Sequence, residues 1–164
     1  ERAVVVNDHV RVAGTRKTVP GLRYFDKKAI RLGGGDPHRD GLSDAFLIKD
    51  THRALLPVAD AVRRAKAYSA YHKVECEVES LADAVEAADA GADILMFDNM
   101  TPSEVHEAVA ELSARGLRDR LVLEVSGGIT PETIHLWAGV DVDRISMGAL
   151  THSVRCADVS LEIE

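Results

Sequence analysis

Cysteine is scarce: Cys76 and Cys156 are the two in 164 residues, far apart and in no motif, which fits reduced thiols in a cytosolic protein. Long apolar runs are missing as well. None approaches the roughly 20 residues that span a bilayer, and no signal-peptide pattern opens the chain. The first residue is Glu1 rather than Met, as expected of a fragment or a trimmed chain. There is no cationic excess. Twenty Lys and Arg stand against 27 Asp and Glu, a net charge of −7, so nucleic acid and anionic membranes are poor partners. No histidine has HExxH or a comparable ligand spacing, and His9, His72, His106 and His135 read as surface residues. What is present is 46% apolar content, enough for one core and a single domain over 1–164.

The most informative stretch is Gly14-Thr15-Arg16-Lys17-Thr18-Val19-Pro20-Gly21-Leu22. It follows a short apolar segment, 10–13, that reads as a strand bounded by the Pro20-Gly21 turn signal. Two adjacent cations between two threonines, with no carboxylate beside them, would make an ordinary solvated basic loop. Four later strand ends repeat the pattern of one or two polar residues after an apolar run, which favours the first wall of an anion site. An Arg held near a buried strand end is costly unless an anion pairs with it.

The chain then alternates. Residues 24–32 read as a helix with Phe25, Ala29 and Leu32 at helical spacing, stopped by Gly33-Gly34-Gly35, where backbone can approach a ligand. Residues 45–48 are a buried strand ending at Lys49-Asp50. Pro57 suits the first turn of a helix to about Tyr68, with Val58, Ala61, Val62 and Ala65 on one face. Residues 74–79 alternate strictly, the valines and Cys76 on one face and Glu75, Glu77 and Glu79 on the other. Ser80 caps a helix with Leu81, Ala84, Val85 and Ala88 inward, ending at Gly91. Residues 94–97 end at Asp98-Asn99, and Thr101-Pro102-Ser103-Glu104 is a capping box ahead of inward Val105, Ala108, Val109 and Leu112. Residues 121–125 run to Ser126-Gly127-Gly128, Thr130-Pro131-Glu132 opens the next helix, and 144–147 end in Gly148. The alternation at 159–163 reads as a last strand, while the apolar 3–6, cut short by Asn7-Asp8, is assigned no role.

About six strands alternating with helices make an α/β fold with a parallel sheet. A complete eight-unit barrel takes around 250 residues, so an open or incomplete α/β barrel of about six parallel strands is expected, with a doubly wound sheet as the alternative. Either way the ligand site lies at the carboxyl ends of the strands, which carry Arg16 and Lys17, Lys49, Glu77 and Glu79, Asp98, Ser126 and Gly127, and Gly148.

Each of these residues also has a plain structural role open to it. Lys49 could snorkel from its strand end. Glutamates on an antiparallel edge would face water, but in a parallel barrel they point inward and need cations or a metal. Asp98 could cap a helix, yet Thr101 already does so. Ser126-Gly127-Gly128 could be only a tight turn; ahead of a helix start it presents backbone N–H groups to a phosphate, as Gly148 does more weakly. Together, Arg16, His38, Arg39 and Lys49 suit a small substrate with carboxylates, and the glycine turns with Glu77 and Asp98 suit a sugar phosphate and magnesium or ribose hydroxyls.

Thr15-Arg16-Lys17-Thr18-Val19-Pro20-Gly21-Leu22, Gly33-Gly34-Gly35 with His38-Arg39, Leu47-Ile48-Lys49-Asp50, Glu75-Cys76-Glu77-Val78-Glu79, Phe97-Asp98-Asn99-Met100, Glu124-Val125-Ser126-Gly127-Gly128-Ile129 and Ser146-Met147-Gly148-Ala149-Leu150-Thr151-His152-Ser153 occur in that order. From about Arg11 to the end, the chain closely resembles the carboxy-terminal barrel of quinolinate phosphoribosyltransferases. The resemblance implies transfer from phosphoribosyl pyrophosphate to quinolinate, giving nicotinate mononucleotide, pyrophosphate and carbon dioxide in NAD synthesis. It implies that Thr15, Arg16, His38, Arg39 and Lys49 hold quinolinate, and that Ser126, Gly127, Gly128 and Gly148 hold the phosphoribosyl donor. Lys17, Glu77 and Asp98 would be catalytic, with Mg2+ held indirectly near Glu77 and Asp98 on the pyrophosphate.

The resemblance further implies a cytoplasmic homodimer in which an amino-terminal domain, absent from this chain, supplies a substrate-binding Arg to the neighbouring subunit. Thr51 stands where the family usually has Asn, and Val154-Arg155-Cys156 replaces a small, proline-containing sequence. A paralogous transferase acting on nicotinate or another heterocycle would keep the phosphate turns and alter the cationic pocket; a non-catalytic phosphate- or nucleotide-binding remnant is the other alternative. Arg16, Arg39 and Lys49 favour quinolinate.

Overall fold

The computed structural model describes residues 6–154 and 157–163. Its strands are β1 (Arg11–Ala13), β2 (Phe46–Ile48), β3 (Val74–Val78), β4 (Ile94–Asp98), β5 (Val122–Ser126) and β6 (Arg144–Ser146). They form one parallel sheet in the order β1-β6-β5-β4-β3-β2. From β2 through β6 to β1 the order is sequential, as in a barrel cut between its first two strands. A doubly wound sheet would reverse direction at a switch point, and none occurs. Hydrogen bonds do not close the ring, so the expected open α/β barrel is what the chain forms. On its free side β1 is bridged by Asp36, whose N–H donates to the Val12 carbonyl and whose carbonyl accepts from Gly14.

Strand alternation divides the sheet chemically. Val74, Cys76, Val78, Leu95, Phe97, Leu123, Val125 and Ile145 are wholly buried and belong to the apolar core. That core also holds Val58, Ala61 and Val62 of α3 (Val58–Tyr68), Ala84, Ala87 and Ala88 of α4 (Leu81–Asp89), and Val105, Ala108, Val109 and Leu112 of α5 (Pro102–Ala114). Each fully buried Val, Leu, Ile or Phe side chain among them contributes about 1.5–3 kcal/mol. The caps read from the sequence hold these helices: Ser80 Oγ accepts from Asp83 N–H at 3.1 Å, and Thr101 and Glu104 form a reciprocal box. Cys76 packs among the valines, and burial pushes its thiol up to about 12, which suits packing rather than reactivity.

Four expectations are corrected. In α1 (Arg23–Leu32) Phe25 and Leu32 are exposed and the buried residues are Lys27 and Ile30, because Lys27 buries its stem and finds carbonyl acceptors for its ammonium. In α4 Ala87 takes the buried place expected for Val85. Thr130-Pro131-Glu132 leads into turns and a 3₁₀ helix at Ile134–Trp137, not an α-helix. The alternating 159–163 segment forms no strand, and Val159, Leu161 and Ile163 stand in solvent. Two short helices, α2 (Asp50–Arg53) and α6 (Ala149–His152), were not read from the sequence. Residues 3–5, Arg155 and Cys156 lie outside the described residues; Val6 is buried and its carbonyl accepts from Gly139 N–H.

Candidate active site

Every strand contributes its carboxyl end to one region. Arg16 and Lys17 follow β1, Lys49 follows β2, Glu77 lies near the end of β3, and Asp98, Ser126 and Ser146 are the last residues of β4, β5 and β6. They line two adjoining cavities of about 270 and 260 Å³ that share Thr15, Lys17, Asp98, Ser126 and Ser146. The first also holds Arg16, His38, Arg39, Lys49 and Glu77, the second Gly127, Gly128 and Gly148. Every residue to which the family resemblance gave a role therefore lines one cavity or both; Glu79, also expected at this end and facing inward, lies just past β3, is exposed and lines neither. Asn99, Thr130, Ser146 and His152 line the second without having been singled out.

The first cavity is cationic by construction. Arg16 and Arg39 each keep a buried Nε with no hydrogen-bond partner among the described residues. Burial, together with neighbouring Arg16, pushes the Arg39 guanidinium down against the opposing pull of Glu75. Unpaired donors crowded with like charge are what a carboxylate-binding pocket needs, since an incoming anion relieves both costs. The loop that brings His38 and Arg39 here is anchored from behind. Lys27 Nζ donates to the Pro37 carbonyl and, at 2.9 Å, to that of Arg39; Arg39 Nη1 donates to the Ala45 carbonyl at 3.1 Å. Burial lowers the Lys27 pKa, so this ammonium depends on those carbonyls. Lys27 escaped the sequence reading because it sits inside an otherwise polar helix.

The second cavity is built on tight backbone. Gly127 has φ of 105°, and a Cβ there would come within 2.3 Å of Asn99 Oδ1. Asn99 is itself left-handed, at φ 55°, and its N–H donates to the Ser126 carbonyl at 3.0 Å. The turn after β5 is thereby pinned to the turn after β4. The anticipated helix behind it is only a 3₁₀ turn, and Gly148 caps a four-residue helix. A phosphate placed here would meet turn amides and hydroxyls rather than the dipole of a long helix.

Between the two lie Glu77 and Asp98. Lys49 Nζ contacts Glu77 Oε2 at 2.6 Å, and Asn99 Nδ2 donates to Asp98 Oδ2 at 2.7 Å, leaving each carboxylate one oxygen. Two carboxylates on neighbouring strands fit magnesium, which keeps several waters and binds through one or two carboxylates plus substrate phosphates.

Beneath the cationic cavity is a cluster absent from the sequence reading. His38, Glu75 and Glu124 bring ligand-type atoms within 4.8 Å of one another, and Ser146 Oγ hydrogen-bonds Glu124 Oε1. His38 Nε2 lies 3.6 Å from Glu75 and 3.8 Å from Glu124, and Glu75 Oε1 has no hydrogen-bond partner among the described residues. Arg39 N–H donates to His38 Nδ1 at 2.8 Å, so the neutral ring carries its hydrogen on Nε2 and offers the carboxylates a donor, not a metal-ligating lone pair. Burial lowers the His38 pKa, and the two carboxylates more than reverse it. Burial first, then Glu75, pushes the Glu124 carboxyl up to about 7. One proton on Glu124 reconciles these demands: it relieves the buried charge and leaves His38 Nδ1 free to accept. Only the inward position of Glu124 on β5, set by strand register, could have signalled it.

An open parallel barrel with a cationic cavity beside glycine turns at its strand ends defines a class of α/β barrel suited to small anions. Residues 2–162 match the profile of the quinolinate phosphoribosyl transferase C-terminal domain, and the chain belongs to that family. It is 51% identical, over 99% of its length and 59% of the relative's, to a "Probable nicotinate-nucleotide pyrophosphorylase (carboxylating)" of Methanothermobacter thermautotrophicus. Against the human nicotinate-nucleotide pyrophosphorylase (carboxylating) it is 41% identical over 93% of its length and 51% of that protein's. A crystal structure of nicotinate-nucleotide pyrophosphorylase from Ehrlichia chaffeensis superposes with a TM-score of 0.88 at 34% identity, covering 99% of this chain and 59% of that one. The chain thus spans between half and three-fifths of these relatives. No helix among the described residues is long and apolar enough to cross a membrane.

Proposed function

We propose that the protein transfers the phosphoribosyl group of phosphoribosyl pyrophosphate to the ring nitrogen of quinolinate, with loss of the adjacent carboxylate, giving nicotinate mononucleotide, pyrophosphate and carbon dioxide for NAD synthesis. The observation that carries it is the pair of buried guanidinium Nε atoms, of Arg16 and Arg39, that have no hydrogen-bond partner among the described residues, in a cavity that adjoins the Gly127 turn. A dicarboxylate meeting a sugar phosphate uses both halves. Nicotinate, with one carboxylate, would leave part of the cationic surface unmatched.

In this mechanism Arg16, Arg39, Lys49 and His38, with Thr15, orient the two carboxylates and so aim the ring nitrogen toward the shared wall of the cavities. The 126–128 turn and Gly148 hold the donor's phosphate. As pyrophosphate departs, positive charge develops at the anomeric carbon, where Glu77 and Asp98 stabilise it, while Lys17 neutralises the leaving group. Magnesium on the pyrophosphate oxygens, beside Glu77 and Asp98, would supply the remaining countercharge. Once nitrogen is quaternised, the ring becomes the electron sink for decarboxylation. A cytosolic homodimer belongs to the same proposal, with an amino-terminal domain of the partner completing the quinolinate pocket.

The test is pyrophosphate release by the full-length protein. It should require quinolinate, phosphoribosyl pyrophosphate and magnesium together, and nicotinate should not replace quinolinate. Release with nicotinate alone would point to the paralogous transferase, and donor binding without release to a binding protein.

A further inference from the structure

Decarboxylation leaves an atom unaccounted for. When the ring carbon beside nitrogen loses carbon dioxide, it keeps the electron pair of the broken bond and must gain a proton. We infer that Glu124 supplies that proton through the hydroxyl of Ser146, an inference that rests on the quinolinate reading above.

Several groups nearby could be considered as donors, and geometry separates them. Glu77 is tied to Lys49 at 2.6 Å and Asp98 accepts from Asn99. His38 would have to give up its Nε2 hydrogen while Nδ1 is occupied by Arg39 N–H, leaving an imidazolate. Glu124 is different. It is buried on the concave face of the sheet, hydrogen-bonded to Ser146, and Ser146 lines both ligand cavities. The groups that face it are Glu75 from β3, His38 and Asp36 from the loop, and Ser146 from β6, with Arg144 its register partner. Arg144 is turned to Asp36 at 3.0 Å and does not neutralise Glu124. A carboxyl so placed keeps its proton close to neutrality, as burial beside Glu75 requires.

The step balances as follows. The bond from ring carbon to carboxylate breaks and carbon dioxide leaves without the electron pair. In the structure the Ser146 hydroxyl donates to Glu124 Oε1; for the transfer this bond reverses, so that the protonated Glu124 carboxyl donates to Ser146 Oγ and the Ser146 hydrogen turns to the cavity. The ring carbon takes the Ser146 hydroxyl proton as Ser146 takes the carboxyl proton of Glu124, which ends as a carboxylate. Water then returns a proton to Glu124 from below. A cavity of about 320 Å³, lined by Glu75, Glu124 and Arg144, runs from this cluster to exposed Lys73 and Asp44 at the amino-terminal side of the sheet. His38 and Arg39 line both this cavity and the substrate pocket.

Single-turnover quench of the full-length protein with magnesium, quinolinate and phosphoribosyl pyrophosphate, following pyrophosphate and carbon dioxide separately, tests the assignment. In the wild type both should appear in step. In Glu124→Gln, pyrophosphate should appear at nearly the wild-type rate while carbon dioxide slows about 100-fold, and the dicarboxylated nucleotide should accumulate. Ser146→Ala should show the same split and Ser146→Thr should restore the match; this pair decides the matter if Glu124→Gln does not fold. Equal slowing of both products, or of neither, overturns the inference. A wild type that releases no pyrophosphate overturns the quinolinate reading itself, which is a different result from a split that fails to appear.

Discussion

Glu124→Gln should make the protein more stable at neutral pH, and by an amount that depends on pH. The carboxyl is buried, and its pKa rises from 4.5 to about 7 on folding. A carboxyl whose folded pKa is raised favours the folded state fully below its unfolded pKa; that contribution is lost as pH climbs through the folded value. The window is therefore 4.5 to about 7. At 1.36 kcal/mol for each pH unit, the wild type gives up about 3 kcal/mol across it. Glutamine has nothing to ionise and still accepts from Ser146. Urea denaturation of both proteins from about pH 4.5 to about pH 8 should give a stability difference that shifts toward the variant by about 3 kcal/mol, mostly before neutrality. A difference that stays constant across that range would refute the view that this carboxyl holds a proton in the folded protein.

Three further outcomes follow from the site. Arg39→Lys keeps the charge but loses the planar fork, so quinolinate binding should weaken by about 1.5–3 kcal/mol while donor binding is nearly unchanged; equal loss of both in calorimetry would mean that Arg39 acts only through its bond to Ala45. Gly127→Ala forces a Cβ against Asn99 at 2.3 Å and should cut magnesium-dependent binding of phosphoribosyl pyrophosphate at least about tenfold, roughly 1.4 kcal/mol. Full affinity in that calorimetric titration would remove the turn from the phosphate site. Light scattering should find dimers or larger assemblies, because the ring stays open between β1 and β2 and the outer edge of β2 has no strand beside it among the described residues; a stable monomer with ordinary turnover would mean that Arg16, His38, Arg39 and Lys49 suffice as a pocket.

The sheet and most of its helices were legible because their signals are local. The alternation of 74–79 and the Thr101–Glu104 box specify face and start without reference to anything distant. The strand-end rule then picked out residues that line common cavities, since a polar residue after an apolar run marks a carboxyl end wherever the strand lies. The failures have a common physical origin in contacts between segments far apart in sequence. Lys27 is buried because Pro37 and Arg39 offer carbonyls to it, which no helical period reveals. Residues 159–163 alternate like a strand, but no neighbouring edge among the described residues pairs with them. Glu124 and Ser146 meet only because β5 and β6 align in parallel, and Asn99 reaches Gly127 across two strand ends.

The gap between β1 and β2 has an evolutionary consequence. The segment from Asp36 to Ala45 leaves the free edge of β1 and enters β2 at Phe46, so it occupies the seam where a closed barrel would have further strands. His38 and Arg39 are carried on this segment, whereas Glu77, Asp98, Ser126 and Ser146 are fixed within paired strands. Drift at His38 and Arg39 would reshape the cationic end of the first cavity and leave the pairing of the six strands intact, whereas drift at Glu77, Asp98, Ser126 or Ser146 falls inside the sheet itself. A lineage built on this barrel is therefore free to vary one end of the cavity while the other stays locked in the wall.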